Sequence, residues 1–400
     1  MMKKRQNLAV GVDPGSLYTR CVIGALENSR LRFLGRGIVE SRGWAKSRIA
    51  DQQAVSDSIS EAVRRAEIDA QVPVENITIG FGGLTARGAN TRSRIDVGRP
   101  RELEQRDVNR ALERALNVQL QEDRMILQIF PQDFVIDDHP GHRDPRKMLA
   151  SNLEANAHLI TVSQQEHNAL VGAVNLAHLA VDETVFDGLA ACYASVLPED
   201  RREGIAVIDI GAHSTELVVY YGDALQLASC LPICGDHFTR DIAHFLRIGY
   251  DEAVLIKHDF GSAVAESTAL NSLIELPIRG ERDPREASRR QLNEILEARA
   301  KELFRLVKRE LARVGMERVL GGGIVMTGGG AQLHGMCDAA ESVLDRQARL
   351  GLATGFLDWP EELDDPSWCA AAGLSMYAAR LHAQLDLNRQ SIGTLGRILR

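Results

Sequence analysis

Two stretches about half the chain apart repeat the same order of β-strand patterns, and this repeat limits the fold more than any other feature. In each copy, three short strand-like runs are separated by turn residues and followed by a helical pattern. An aspartate and a glycine turn close the first run of each copy, at Asp13 and at Asp209, 196 positions apart. Solenoid repeats have periods of roughly 20–50 residues. The sequence therefore predicts two related α/β domains.

Length and composition exclude several classes of protein. With 400 residues the chain is too long for one compact core, and 44% hydrophobic with 26% charged residues is typical of a folded globular protein. A net charge of −8 disfavours nucleic acid as a partner. The six cysteines contain no Cys-x-x-Cys pair, which argues against a zinc site and is typical of a reducing cytosol. The first apolar run has five residues, whereas a signal peptide needs about 7–15, so we expect a cytoplasmic protein.

The region between the two copies has a different pattern, from about 85 to 163. It contains an arginine-rich strand pattern, a helix over Glu102–Asn117, and two strands near Met125–Ile136 and Leu153–Val162. We expect an inserted small α+β domain here. After the second copy, apolar residues at helical spacing predict a long amphipathic helix over Ser288–Val314.

The two aspartate–glycine turns carry the chemistry that a phosphate site needs. Glycine lets the backbone approach a phosphate closely, exposed N–H groups bind the anion, and a neighbouring carboxylate can hold hydrated Mg²⁺. One such turn more often only closes a hairpin. Two turns at corresponding points of a repeat predict that both hold one phosphate tail.

A third motif lies late in the chain. Ile324–Thr327 is a buried strand pattern, and Gly328, Gly329 and Gly330 follow it directly before a helical run. A strand, a glycine turn and a helix N-terminus together form a nucleotide-binding corner.

These motifs and their order resemble the actin/Hsp70-type ATPase superfamily and, within it, the bacterial cell-division family FtsA. The resemblance runs from Leu8 to about Arg380, and the insertion stands where FtsA carries its own small domain. The closer resemblance rests on four stretches, Glu40-Ser41-Arg42-Gly43, Phe130 to Asp137, Gly235 to Ala243, and Ile324 to Leu333.

The resemblance implies an α/β, actin-like (ribonuclease-H-like) fold with two lobes and an inserted α+β domain. The expected parts are subdomain 1A (1–84, 164–203 and 370–390), inserted subdomain 1C (85–163), subdomain 2A (204–246 and 319–369), subdomain 2B (247–318) and a C-terminal tail (391–400).

The resemblance also implies ATP and Mg²⁺ as cofactors. Asp13 and Asp209 would hold Mg²⁺ through water, and Asp209 and Asp187 would act on the attacking water. The other expected nucleotide contacts are Gly15 and Ser16 in the first loop, Gly211, Ser214 and Thr215 in the second, Gly235 and Asp236 near the ribose, Glu252, and Thr327, Gly328, Gly329 and Gly330 near the adenosine and inner phosphate.

Four positions depart from the family pattern. Ala212 and His213 replace two glycines of the second loop, and their side chains narrow the room for a γ-phosphate. Leu255 stands where a lysine is usual, three residues after Glu252. Asp187 stands where a glutamate is usual. We therefore expect at most weak ATPase activity, with the nucleotide acting as a conformational ligand.

The implied function is a polymerising cell-division adaptor on the cytoplasmic face of the membrane. It would bind itself, other division proteins and the C-terminal peptide of FtsZ. It would reach membrane lipid through the tail, where one helical face carries Ile392, Leu395, Ile398 and Leu399. The peptide is expected on 247–318, where five arginines cluster: Arg279, Arg282, Arg285, Arg289 and Arg290. Two alternatives stay open, a PilM-type pilus-assembly protein and a small-molecule kinase of the same superfamily.

Overall fold

The structure is a computed structural model that describes residues 8–28, 30–276 and 285–398, with side chains described to residue 384. The strands are β1 (Leu8–Pro14), β2 (Tyr18–Glu27), β3 (Arg30–Glu40), β4 (Trp44–Ala45), β5 (Arg48–Ile49), β6 (Asn76–Phe81), β7 (Arg87–Glu102), β8 (Arg124–Ile136), β9 (His139–His142), β10 (Leu149–Ser163), β11 (Ala180–Phe186), β12 (Ile205–Ile210), β13 (Thr215–Tyr221), β14 (Ala224–Leu231), β15 (Leu273–Leu276), β16 (Arg285–Ser288), β17 (Ile324–Thr327), β18 (Ala348–Leu350) and β19 (Phe356–Leu357). The helices are α1 (Gln52–Ala70), α2 (Gln105–Leu116), α3 (Gln164–Leu176), α4 (Asp187–Ser195), α5 (Pro198–Glu203), α6 (Gly235–Leu246), α7 (Tyr250–Phe260), α8 (Arg289–Arg313), α9 (Met336–Leu344) and α10 (Cys369–Ile398).

The chain forms two compact units. Unit 1 consists of Met1–Gly82, Glu166–Val196 and Gly351–Arg400, and unit 2 consists of Gly83–Gln165 and Leu197–Leu350.

Unit 1 is a six-stranded sheet in the order β11-β6-β1-β2-β3-β19, with helices packed closely on both faces. Glycines make this close packing possible. A Cβ on Gly11 would lie 2.4 Å from the Ala371 carbonyl of α10, and one on Gly37 would lie 1.9 Å from the Ala62 carbonyl of α1. Because alternate residues of a strand face opposite sides, these two contacts place α10 and α1 on opposite faces.

Unit 2 is a nine-stranded sheet in the order β18-β17-β12-β13-β14-β7-β10-β8-β9. Helices α6, α8 and α9 share one apolar core with its first strands, and Phe304 of α8 is fully buried there. The last four strands and α2 belong to the insertion and have a core of their own. Helix α8 begins where predicted, because the Ser288 hydroxyl caps it by accepting a hydrogen bond from the Gln291 N–H (3.3 Å).

The predicted duplicated α/β fold is confirmed. Three antiparallel strands followed by a helix appear once as β1-β2-β3 and α1, and again as β12-β13-β14 and α6. The inserted α+β domain is also present.

One part of the chain lies elsewhere than expected. The sequence assigned 351–369 to subdomain 2A, together with β17, but these residues belong to unit 1. There β19 pairs with β3, and the Thr354 N–H donates to the Ala194 carbonyl of α4 (2.8 Å). A two-residue strand leaves too little pattern to be recognised from sequence. The other subdomain boundaries stay predictions.

The C-terminal region continues α10 as far as Ile398. The side chains of the predicted tail, 391–400, lie outside the described residues. Over the ranges that the structure describes, none of the helices combines the length and apolar character needed to cross a bilayer.

Candidate nucleotide-binding site

Asp13 of the first loop is a nearly buried carboxylate at the end of β1. It is 9% exposed and pairs in register with Arg20 on β2. Burial raises the pKa of Asp13 to about 6, and the positive charge of Arg20 opposes that rise. The carboxylate is therefore kept charged at neutral pH against a desolvation cost.

Ser41 stabilises the first loop through hydrogen bonds. Its hydroxyl donates to the Gly15 carbonyl (2.6 Å), its backbone N–H donates to the Leu17 carbonyl (2.9 Å), and the Thr19 hydroxyl lies 2.7 Å from it. The loop is tight, since a Cβ on Gly15 would lie 2.6 Å from the Tyr18 carbonyl. The Ser-Arg-Gly stretch, which the sequence offers only as a family signature, thus holds the loop in shape.

Arg20 adds a fixed cation beside this loop. Its guanidinium carbon lies 5.4 Å from the Tyr18 ring centroid and 5.6 Å from that of Trp368, which are cation–π distances. Sequence reasoning missed Arg20. Its position two residues after Tyr18, directly opposite Asp13 in a hairpin, was the available signal.

Asp187 lies at the same edge of the sheet as Asp13. It begins α4 directly after β11, and β11 and β1 both run parallel to β6, which lies between them. Carboxyl ends of parallel strands meet at one edge. On β6, a Cβ at Gly80 would lie 1.9 Å from Asp187 Oδ1, so only glycine fits beneath this carboxylate.

In unit 2, Asp209 of β12 is held by Thr327 of the neighbouring parallel strand β17. The Thr327 hydroxyl donates to Asp209 Oδ1 (3.0 Å), and Asp209 is 8% exposed. The Gly211 N–H donates to the Ser214 carbonyl (2.9 Å), which closes the second loop as a tight turn.

The second loop is joined to the first turn of α6. The N–H groups of Gly235 and Asp236 donate to the carbonyls of Gly211 and Ala212, both at 2.9 Å. Neither Ala212 nor His213 adopts a left-handed backbone, so the two substitutions cause no backbone strain here. Burial lowers the pKa of His213 below its usual value, so its ring is neutral at pH 7. The two substitutions therefore change the side chains of the loop and leave its backbone unstrained.

The glycine turn after β17 is packed on one side and open on the other. Gly328 has φ +79°, and a Cβ there would lie 2.5 Å from Asp209 Oδ1. A Cβ on Gly330 would lie 2.4 Å from Ile210 Cγ2. No atom lies within 4 Å of a Cβ placed on Gly329. The turn thus presents exposed backbone at Gly329, as a phosphate cradle requires.

Lys257, rather than position 255, supplies a cation near α6. Its ammonium group donates to the Gly235 carbonyl (3.3 Å) and the Thr239 hydroxyl (2.7 Å), whereas Leu255 is 57% exposed. Burial lowers the pKa of Lys257. Counting from Glu252 missed this lysine. The signal that would have found it is that Lys257 lies four residues after buried Ala253, on the helix face that packs inward.

Glu252 and Asp236 both make local contacts. An added Cβ on Gly249 would lie 2.1 Å from Glu252 Oε2, so this carboxylate folds back over the start of its own helix. Asp236 accepts from the Tyr250 hydroxyl and from Arg240 Nε, both at 2.6 Å.

Comparison with known proteins identifies the family. The family model "Cell division protein FtsA" matches residues 206–373, and "SHS2 domain inserted in FTSA" matches residues 83–161. The cell division protein FtsA of Borreliella burgdorferi is 33% identical over 96% of this chain and 93% of its own. FtsA of Pseudomonas aeruginosa is 32% identical over 92% and 89%, and FtsA of Escherichia coli K12 is 31% identical over 98% and 95%.

The chain belongs to the FtsA family. Solved structures show that its fold is actin-like. A PilM–PilN type IV pilus biogenesis complex superposes with a TM-score of 0.67 at 15% identity, covering 93% of this chain and 98% of the other. MreB5 of Spiroplasma citri bound to ADP gives 0.57 at 14% identity, covering 95% and 98%. At such identities PilM shares the fold, while the close sequence relatives are FtsA proteins.

The residues that the FtsA resemblance assigned to nucleotide fall into two groups, one in each unit. Unit 1 carries Asp13, Gly15 and Ser16 at the same sheet edge as Asp187. Unit 2 brings the second loop, α6 and the late glycine turn together through hydrogen bonds and close packing, and this group comprises Asp209, Gly211, Ser214, Thr215, Gly235, Asp236, Thr327, Gly328, Gly329 and Gly330.

Proposed function

We propose that this FtsA-family protein is a cell-division adaptor that binds Mg–ATP, assembles with itself and tethers FtsZ at the cytoplasmic face of the membrane. The observation that carries the nucleotide part is the corner in unit 2, where Thr327 orients Asp209 and the backbone at Gly329 is open. The family membership supports the division role, because the relatives are named cell division proteins.

The residues present fit ATP and Mg²⁺. Carboxylate oxygens, which Asp13 and Asp209 offer, are the ligands that Mg²⁺ prefers, usually with several waters kept. The Thr215 side chain is fully buried, and none of the described groups hydrogen-bonds its hydroxyl, which suits a polar ligand at the second loop. The bound metal would neutralise phosphate charge, and the protein adds Arg20 beside the first loop and Lys257 beside Gly235. MreB5, an actin-like neighbour, has been solved with ADP and with AMPPNP.

Slow hydrolysis is the first expected outcome. Catalysis requires a water in line with the γ-phosphate, and small misplacements cost large factors in rate. We expect phosphate release near background from the unmodified protein, and at least about tenfold faster release from the Ala212→Gly/His213→Gly double variant, since crowding is removed. A phosphate-release assay measures both. Adding Asp209→Asn to the double variant should abolish the gain, and brisk release by the unmodified protein would contradict this reading.

FtsZ peptide binding is proposed for residues 247–318, as in the FtsA resemblance, through an acidic and apolar peptide. Three of the arginines expected there contact other residues of this protein. Arg289 Nε donates to the Phe260 carbonyl (3.1 Å), and Arg290 contacts Glu294 Oε1 and the Thr268 carbonyl, both at 3.4 Å. Arg285 donates to the Leu246 carbonyl. Arg279 and Arg282 lie outside the described residues.

Arg290→Glu is therefore expected to weaken FtsZ peptide binding by about tenfold, because a like charge faces an acidic peptide. Fluorescence anisotropy with the labelled peptide measures the affinity. Arg313→Glu is the matched control, since Arg313 lies at the other end of α8 and also pairs with a glutamate, Glu310 (2.9 Å). Equal affinity of Arg290→Glu and the control, with unchanged thermal unfolding, would move the peptide site elsewhere.

Membrane attachment is proposed for the tail, 391–400, acting through many copies in an assembly. The apolar face predicted there is short and carries no aromatic anchor, so a single copy binds lipid weakly and an assembly binds by avidity. Other division proteins are proposed as further partners on the same family grounds.

A further inference from the structure

The inserted domain meets the rest of unit 2 along one side of β14. Among the described residues, the register between β14 and β7 has a single pair, Ser229 with Arg87. The two strands approach very closely next to this pair, since a Cβ on Gly88 would lie 2.2 Å from the Ala228 carbonyl. A single backbone pair constrains the orientation of the insertion strands on β14 only weakly, so side-chain contacts along β14 contribute to it.

His158 of the insertion supplies the central contact. Its Nε2 accepts a hydrogen bond from the Ala228 N–H (3.1 Å), and its Nδ1 lies 2.5 Å from Asn90 Oδ1. Because Nε2 accepts, Nδ1 carries the proton and donates to Asn90. The residue is 1% exposed, and burial, with a smaller contribution from Arg313, lowers its pKa to about 4, so the ring is neutral at pH 7. The imidazole thus bridges a strand of the insertion and the backbone of β14.

Two further side chains of the insertion contact the same edge of β14 and the turn before it. Gln132 Nε2 donates to the Leu225 carbonyl (2.7 Å), three residues before Ala228. Arg143 reaches Asp223 in the turn before β14 (3.9 Å). Backbone groups that a neighbouring strand would normally satisfy are here satisfied by side chains. The insertion therefore covers the edge of β14 in unit 2, whose backbone groups would otherwise lack these partners.

We infer that His158 is a positioning residue that fixes the orientation of the inserted domain on β14, with Gln132 as its partner contact. The geometry behind this is a fully buried ring at the seam between β7 and β14, which has one backbone pair: Nε2 is hydrogen-bonded across the seam to Ala228, and Nδ1 is held by Asn90 within the insertion. Loss of the ring leaves the N–H of buried Ala228 without its hydrogen-bond partner, which favours separation of β7 and β14. This role is independent of the proposed nucleotide and FtsZ binding.

Pulsed electron paramagnetic resonance tests the inference on the full chain. Spin labels go on cysteines introduced at Glu113 of α2 and Arg318, both exposed, in a background where half-buried Cys230 and Cys337 are serine. We expect one narrow distance distribution in the parent and a broadened or shifted one in His158→Leu. His158→Gln should restore the narrow distribution, because a glutamine amide offers both an acceptor and a donor.

Gly88→Ala is a second variant for the same measurement, in case His158→Leu does not fold. The added methyl group would lie 2.2 Å from the Ala228 carbonyl and 2.5 Å from His158 Nε2, so it forces β7 and β14 apart at the His158 contact and should broaden the same distance. Amide exchange of residues 224–231 should quicken by about tenfold or more in both variants. Nitrogen NMR of His158 in the parent should show a protonated Nδ1. An unchanged distance in both variants, or a protonated Nε2 in the parent, would overturn the inference.

Discussion

Replacing Gly329 by aspartate is expected to weaken ATP binding by about a hundredfold or more, because a fixed negative charge then faces the phosphates at short range. The change is structurally harmless, since the space beyond this Cα is open to 4 Å and Gly329 does not adopt a left-handed backbone. Calorimetric titration with Mg–ATP measures the affinity. The effect therefore reports on the ligand and not on folding.

Gly329→Asn is the matched control for that variant. Asparagine has nearly the shape of aspartate without its charge, so it isolates electrostatic repulsion from steric exclusion, and we expect a loss of about tenfold or less. Both variants should unfold at the same temperature as the parent. Unchanged ATP affinity in Gly329→Asp would remove the late glycine turn from the nucleotide site.

Asp13→Asn is expected to change binding and stability in opposite directions. The pKa of Asp13 is raised to about 6 from 3.8 by burial, so above pH 6 the folded protein holds a charge that the unfolded chain would hold at lower cost. A shift of this size corresponds to roughly 3 kcal/mol, so removing the charge should stabilise unit 1 by about 1–3 kcal/mol at pH 8. The same change removes a proposed Mg²⁺ contact and should reduce Mg–ATP affinity more than tenfold.

The raised pKa of Asp13 determines how the stability of the folded protein depends on pH. A raised carboxyl pKa means that the folded state binds the proton more tightly, so the parent gains stability as pH falls from about 6 toward 3.8 and lacks that gain above 6. The advantage of Asp13→Asn should therefore be largest at pH 8 and shrink toward pH 4. Denaturant unfolding at both pH values measures it. Lower stability of Asp13→Asn at pH 8 would show that Arg20 outweighs the desolvation cost.

Much of the architecture could be predicted, because the residue pattern within each strand or helix indicates that element. Local patterns predict three strands in each copy, which the structure shows as β1, β2 and β3 and as β12, β13 and β14, and they predict α8 to within one residue at each end. The paired Asp-x-Gly turns point to both loops. Short elements carry no such pattern, which is why β19 was placed with the wrong unit. The roles of residues that act through contacts far apart in the chain also could not be predicted from local pattern.

Three residues illustrate what sequence spacing cannot show. Lys257 reaches Gly235 only because α7 packs against α6, so counting along the chain gave position 255 instead. Ser41 supports a loop 26 positions away. His158 acts on a strand 70 positions away, and nothing in its neighbours along the chain signals a buried, hydrogen-bonded ring. In each case tertiary packing decides the role.

Direct binding of FtsZ tests whether this FtsA-family protein is a division adaptor. Immobilised full-length protein is presented with FtsZ from the same cell, intact or lacking its C-terminal peptide, in the presence of Mg–ATP. We expect intact FtsZ to be retained and the truncated form to be washed away. Retention of both forms alike, or recovery of a pilus component from lysate with no FtsZ retained, would contradict it.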